Sequence, residues 1–154
     1  HPEGLSLEAL HAHVYGDQTV SISTLKSEMT HLRQHVGDTL LARPYRLQLA
    51  PSISPTDAQL IEQYALQGLI SKLMPLYQRP LLPHSQSPAI AEYRDYLHQL
   101  VIRSLLHGND TEALWQFSLQ HEAEYDIFAR LAQSLPAGDG RRAAVIAKLA
   151  QLDA

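Results

Sequence analysis

The sequence predicts a mainly α protein in two parts: a helix-turn-helix closed by a small β-hairpin, then an all-α helical bundle or helical-hairpin domain. Three observations predict it. Two runs before residue 37 space their apolar residues three and four apart, residues 45–49 alternate apolar with polar, and the chain after residue 51 returns to helical spacing alone.

The first helix starts at Ser6, whose hydroxyl can accept from the free N–H groups of the first turn, with Leu5 and Leu10 spaced as a hydrophobic staple. Leu7, Leu10 and Val14 line one face, and Gly16-Asp17 ends the run. A polar turn, Asp17-Gln18-Thr19, leads to a second helix capped by Ser21 or Ser23 and extending over residues 21–36. Its Leu25, Met29, Leu32 and Val36 share one face, and Gly37-Asp38 stops it. Leu40-Leu41-Ala42, then Arg43-Pro44, then Tyr45-Arg46-Leu47-Gln48-Leu49 read as a hairpin whose second strand is half-buried and whose Tyr45 anchors the core. Helix, turn, helix and hairpin follow the order of a winged helix-turn-helix.

Leu49-Ala50-Pro51-Ser52-Ile53-Ser54-Pro55 brackets a polar link between two prolines and marks the boundary between domains 1–50 and 51–154. Beyond it, Ser54-Pro55-Thr56-Asp57 reads as N-cap serine, proline at the first helical position and an acid three residues after the cap. Leu60, Ile61 and Tyr64 give that helix its inner face to about Gln67, and Gly68 separates it from a shorter helix through Leu69, Leu73 and Leu76. Pro75, Pro80, Pro83 and Pro88 predict an extended linker. Ser87-Pro88 opens a helix through Ile90, Tyr93, Leu97 and Val101 that stops near His107-Gly108. Asn109-Asp110 caps the next, with Leu114 and Phe117; Tyr125, Phe128 and Leu131 belong to another that ends before Pro136; Asp139 starts the last, through Val145, Ile146 and Leu149. No internal repeat of fixed period is evident.

Composition narrows the function classes. The 154 residues include 45% hydrophobic and 18% charged side chains, enough to bury a core and too ordered in pattern for a disordered tail. No apolar run approaches the roughly 18 residues of a membrane span, and no charged-then-apolar leader is evident. A soluble, cytoplasmic protein is expected. The absence of cysteine excludes disulfides, thiolate metal sites and cysteine nucleophiles. Because the chain begins at His1, a fragment of a longer protein is expected, with the first helix of the winged domain lying upstream.

The net charge of −4 gives no bulk attraction to polyphosphate, so any nucleic-acid contact must be local. Residues 1–50 carry four basic and five acidic side chains against eight and eleven in the remainder, and those four cations all lie from residue 26 onward. In the second helix the apolar stripe leaves Ser23, Ser27, Thr30 and Gln34 on the opposite side, with His31 adjacent and Lys26 and Arg33 on one flank. Hydroxyls and amides can bond to base edges or phosphates, cations add charge-assisted contacts, and a helix fits the major groove of double-stranded DNA. The plainer reading is an ordinary solvated face. Arg43 and Arg46 flank the hairpin, where a wing can lay cations along the sugar-phosphate backbone.

These residues carry a resemblance. Val14-Tyr15-Gly16, Val20-Ser21-Ile22-Ser23-Thr24-Leu25, Met29-Thr30-His31-Leu32-Arg33 and Arg43-Pro44-Tyr45-Arg46-Leu47 resemble the winged helix of OmpR-type response regulators. They are more similar still to the C-terminal region of bacterial GAF-domain transcriptional regulators. In that family a helical segment follows, which Tyr77-Gln78-Arg79-Pro80-Leu81-Leu82-Pro83 and the run from Leu135-Pro136-Ala137-Gly138 through Arg141-Arg142 resemble. The resemblance implies sequence-specific binding of double-stranded DNA, a homodimer on paired half-sites, an upstream sensor domain of the same chain and possible contact with RNA polymerase. The second helix carries fewer cations than OmpR-type helices often do.

Other chemistries find less footing. His31 and His35, and His11 with His13, have spacings that could pair imidazoles, yet no glutamate follows His31 and no thiolate completes a zinc site. No metal or other cofactor is expected, and the histidines read as facing DNA or water. There is no Gly-x-Ser-x-Gly elbow, phosphate-binding loop or dinucleotide fingerprint, so no enzyme is expected. Glu122 and Glu124 read as helix-surface solvation rather than an acid-base pair, and Trp115, Phe117, Tyr125 and Phe128 as core rather than a ligand pocket.

Overall fold

The computed structural model describes residues 2–50 and 52–153. It is mainly helical, with one small two-stranded antiparallel sheet. The chain divides into two compact units, His1–Pro55 together with Leu81–Asp95, and Thr56–Pro80 together with Tyr96–Ala154.

In the first unit, α1 (Leu7–Tyr15) starts where Ser6 accepts from the Ala9 N–H, and α2 (Ile22–Val36) where Ser21 accepts from the Thr24 N–H. Their connection is pinned by His11, whose Nε2 donates to the Val20 carbonyl at 2.7 Å. A 3₁₀ turn (Gly37–Thr39) leads into β1 (Leu40–Leu41), which pairs antiparallel with β2 (Arg46–Leu47) in the register Leu40 to Leu47. Leu5 adds an antiparallel bridge to Tyr45 through two backbone hydrogen bonds. The close approach there explains Gly4, which sits at φ +86° with Pro44 and the Tyr45 carbonyl packed where a Cβ would point.

Two expectations fail in this unit. The stretch 45–49 is not a half-buried strand: the ladder holds two residues on each side, and Leu47 and Leu49 are 51% and 55% exposed. The apolar stripe of α2 is also only partly covered, with Leu25 buried, Met29 and Val36 half-buried and Leu32 40% exposed. Periodicity reports which side chains share a face, whereas burial needs a second surface to cover it, and among the described residues of this unit only Leu25 and Leu40 are fully buried hydrophobics.

The polar tie that draws 81–95 into the first unit is Ser87, whose hydroxyl donates to the His13 carbonyl at 2.7 Å. Gly16, at φ +58°, lets Pro88 approach to where a Cβ would stand, 2.8 Å from the Pro88 ring. Arg94 then organises the proline-rich segment by donating to the carbonyls of Leu81, Leu82 and Ser85. The boundary in sequence is therefore not the boundary in space, because a side chain can recruit a segment from across a helical insertion.

The second unit holds α3 (Asp57–Leu66), α4 (Ile70–Leu76), the larger part of α5 (Pro88–His107), α6 (Thr111–Ser118), α7 (Tyr125–Ser134) and α8 (Arg141–Leu152). Leu73, Leu97, Val101, Leu105, Leu114, Phe117, Ile127, Leu131, Leu135 and Val145 are its fully buried centre. The helix expected to begin at Ser54 instead begins after Thr56. Thr56 and Gln59 form a reciprocal capping box, which satisfies two backbone donors where Ser54 would satisfy one. Pro75 is not in a linker but inside α4, where it removes one backbone donor one residue before the helix ends.

Helix ends in this unit are tied by arginines. Arg142 donates to the carbonyls of Ala132 and Leu135 at 2.7 Å each, closing the C-terminal end of α7. Arg141 binds Asp139 and Glu112 and stacks its guanidinium over Trp115. This joins the head of α8 to α6. Among the described residues, no helix is long and apolar enough to cross a membrane.

Candidate nucleic-acid interface

All nine side chains singled out for DNA, Ser23, Lys26, Ser27, Thr30, His31, Arg33, Gln34, Arg43 and Arg46, belong to the first unit and are exposed. Seven of them lie on α2, because Leu25 fixes that helix's rotation by burying one side of it. Ser23 shares a 2.7 Å hydrogen bond with the capping Ser21 hydroxyl. Ser27 and Thr30 donate their hydroxyl protons to the carbonyls one turn back, Ser23 and Lys26, leaving oxygen lone pairs outward. His31 and Gln34 face outward, and the His35 Nδ1 meets the His31 carbonyl at 2.9 Å.

The cations diverge. Arg33 turns toward the hairpin and reaches the Leu40 carbonyl at 3.4 Å, while Arg46 on β2 reaches the Pro2 carbonyl at the same distance. Each such contact uses one of five guanidinium donors. Arg43 sits in the hairpin loop at φ +65°, a backbone conformation that L residues rarely adopt. Lys26 and Arg43 come together on one groove of about 460 Å³, lined also by Leu5, Ser6, Glu8 and Tyr45.

Glu8 is a residue that the pattern of the sequence did not single out. Its own backbone N–H and the Ser6 hydroxyl, with a smaller contribution from Lys26, hold its carboxyl below the usual range. An ionised carboxylate thus shares the groove with the two cations. The Glu8-Lys26 proximity is invisible in a pattern that treats each helix separately.

A second polar cluster, in the other unit, also escaped the sequence reading. Tyr77, just past α4, meets Nδ1 of His98 at 2.7 Å, and Nε2 of His98 meets Glu124 at 2.9 Å. With Nε2 donating to the Glu124 carboxylate, Nδ1 accepts from the Tyr77 hydroxyl. His121 stacks on Phe117 with centroids 4.2 Å apart and lies tilted against His98 at 5.1 Å. Burial, with Glu124 adding to it, pushes the Tyr77 hydroxyl up to about 12. That rules out an easily ionised nucleophile.

These contacts correct three readings. His98 and His121, like His11, are half-buried structural side chains, not surface ones. Glu122 and Glu124 lie in the turn before α7 rather than on a helix, Glu122 pairing with Lys148 and Glu124 with His98. Of the four aromatics expected in the core, Phe117 and Phe128 are buried, but Tyr125 is 45% exposed. Among the described residues, no three potential metal-binding side chains come together.

Comparison with known proteins adds one relative and no established activity. A Rhodococcus erythropolis protein described as an uncharacterized 47.3 kDa protein in the thcA 5′ region is 36% identical over 115 residues, covering 74% of this chain. The matched residues make up 25% of that protein, so the chain spans about a quarter of the length of its curated relative. No protein-family model matches the chain, and no solved structure does.

Proposed function

We propose that residues 2–50 form a winged helix-turn-helix that binds double-stranded DNA, as the output region of a cytoplasmic bacterial transcriptional regulator. The observation that carries the reading is the joint exposure of the nine polar and cationic side chains on α2 and the adjoining hairpin. α2 enters the major groove. Ser27, Thr30 and Gln34 sample base edges, Ser23 and His31 lie at the margin of the contact, and Lys26, Arg33, Arg43 and Arg46 meet phosphates.

The order of elements supports this reading: a bridging residue at Leu5, two helices, and a hairpin that returns to pair with Leu5. The protein works by binding, without chemistry or a cofactor of its own. A homodimer doubles the modest number of cations on the contact face, the helical unit carries dimerisation or contact with RNA polymerase, and a sensor elsewhere in a longer chain sets activity.

The test is selection of bound duplexes from a random DNA pool, followed by fluorescence anisotropy on the selected duplex at two salt concentrations. Salt-dependent binding that Arg33→Glu with Arg46→Glu abolishes, in a protein that stays folded, supports the reading. Selection of no sequence and no salt-dependent binding overturns it. A second reading, a module that docks a protein on the same face, draws on the net charge of −4 and the exposed Leu32, Leu47 and Leu49. Loss of a protein partner, with no DNA binding to lose, favours it.

A further inference from the structure

The group of residues most closely coupled in the second unit is the stack of Tyr77, His98, Phe117 and His121, with Glu124 at its edge. Four elements meet there. Tyr77 ends α4, His98 comes from the middle of α5, Phe117 from α6, and His121 and Glu124 from the turn that joins α6 to α7. Ring centroids lie 4.2 to 6.3 Å apart throughout. The turn's backbone bonds run back to Trp115 and Phe117, within the turn and forward to the first turn of α7, and its Glu122 pairs with Lys148 on α8. Its attachment to α4 and α5 is made by the His121 ring and the Glu124 carboxylate.

We infer that this cluster is an acid-sensitive latch, in which a proton taken up at His121 releases the 119–124 turn from α4 and α5. A cation on His121 would stand 5.1 Å from the His98 ring, inside a stack whose other members, Phe117 and Tyr77, are buried. The groups that face His121 are Tyr77 from α4, His98 from α5, Phe117 from α6 and Glu124 at the head of α7. Glu124 and, through their ring faces, Phe117 and Tyr77 favour the charge, but Oε1 of Glu124 is already bonded to His98 and both rings are buried, so a charge on His121 gives up water on that side. Glu122 is turned away to Lys148 on α8.

Burial, then His98, hold the His121 imidazole below its ordinary 6.5, with Glu124 opposing them. The sign follows. The released turn presents an ordinary imidazole and binds a proton more readily than the latched one, so the latch is intact above pH 6.5 and weakens as pH falls below it. Release uncovers Phe117 and Tyr77, an aromatic surface available only in acid. This device is independent of the DNA-binding reading, which concerns the other unit.

Hydrogen exchange of the whole chain, at about pH 7.5 and about pH 5.5 and corrected for intrinsic rates, tests it. The open population of residues 118–124 should rise on acidification, by at most about tenfold per pH unit for one proton, while the amides of 97–105 in α5 stay protected. His121→Phe keeps a stacking ring without a titrating group and should abolish the rise. Equal protection at both pH values, or the same rise in H121F, overturns the inference. If H121F does not fold, the wild-type imidazole decides by NMR: a His121 titration at or above the ordinary histidine range overturns the latch, and one below it supports it.

Discussion

Glu124 occupies the N-cap of α7, yet its carboxylate accepts no hydrogen bond from that helix and instead meets Nε2 of His98 on α5 at 2.9 Å. A carboxylate standing beside the free N–H donors of its own helix end is used instead to join two helices. His98 passes the connection on to Tyr77, so α4, α5 and the head of α7 are tied by one hydrogen-bonded chain.

The Tyr77 hydroxyl, pushed up to about 12 from an ordinary 10, ionises more easily in the unfolded chain than in the folded one. Its contribution to stability is therefore complete below pH 10 and is lost as pH rises toward 12. Denaturation monitored by circular dichroism across that range should show alkaline destabilisation that Tyr77→Phe reduces. Phenolate absorbance should show Tyr77 ionising with the late part of the tyrosine titration.

Arg142 makes two charge-assisted hydrogen bonds to the last carbonyls of α7. Arg142→Ala should destabilise the second unit by about 1.5–3 kcal/mol, the usual range for hydrogen bonds to a charged group. Both bonds come from the single Nη1 nitrogen, so Arg142→Lys, which carries its donors on one nitrogen at the end of a shorter stem, should recover part of this. Urea midpoints at constant slope measure the difference.

Gly4 and Gly16 combine a positive φ with a neighbour standing where a Cβ would project. Alanine at either position should cost roughly 1–3 kcal/mol, as expected for a residue held in a sparsely populated backbone region. Gly37 has a similar φ but open space around it, so Gly37→Ala should cost less than either. Thermal denaturation of the three variants gives the order.

In the groove where Lys26 and Arg43 meet, Glu8 offsets part of their charge. Under the proposed function, Lys26→Ala and Arg43→Ala should each lower the slope of log affinity against log salt by about 0.9, the value of one phosphate contact. Glu8→Gln should raise affinity. Gln34→Ala should leave the salt slope unchanged and relax base preference at one position, at a cost of about 1–3 kcal/mol on the preferred duplex. Anisotropy titrations on matched and mismatched duplexes separate these outcomes.

Local order was largely legible in the amino-acid chain. Ser6, Ser21 and Asp110 cap helices where short polar side chains precede apolar runs, because capping is a contact across three residues. The rotation of α2 was equally legible, since Leu25 and the polar strip opposite it are set by helical pitch. Thr56 was missed because both Ser54 and Thr56 fit a cap, and only the reciprocal bond with Gln59 distinguishes them.

Long-range relations follow a different rule. The histidines read as surface residues because nothing near them in sequence marks them as partners: His98 lies 21 residues from Tyr77 and 26 from Glu124. The same holds for Glu8 beside Lys26, and for Ser87 reaching the His13 carbonyl 74 residues away. Residue order thus established the helices, the caps at Ser6, Ser21 and Asp110 and the polar face of α2, all of which depend on neighbours within about one helical turn. Packing established how much of each apolar stripe is covered, which unit claims residues 81–95, and where Tyr77, His98, His121 and Glu124 converge. Those outcomes depend on surfaces brought together across the chain, and no periodicity in a single segment encodes them.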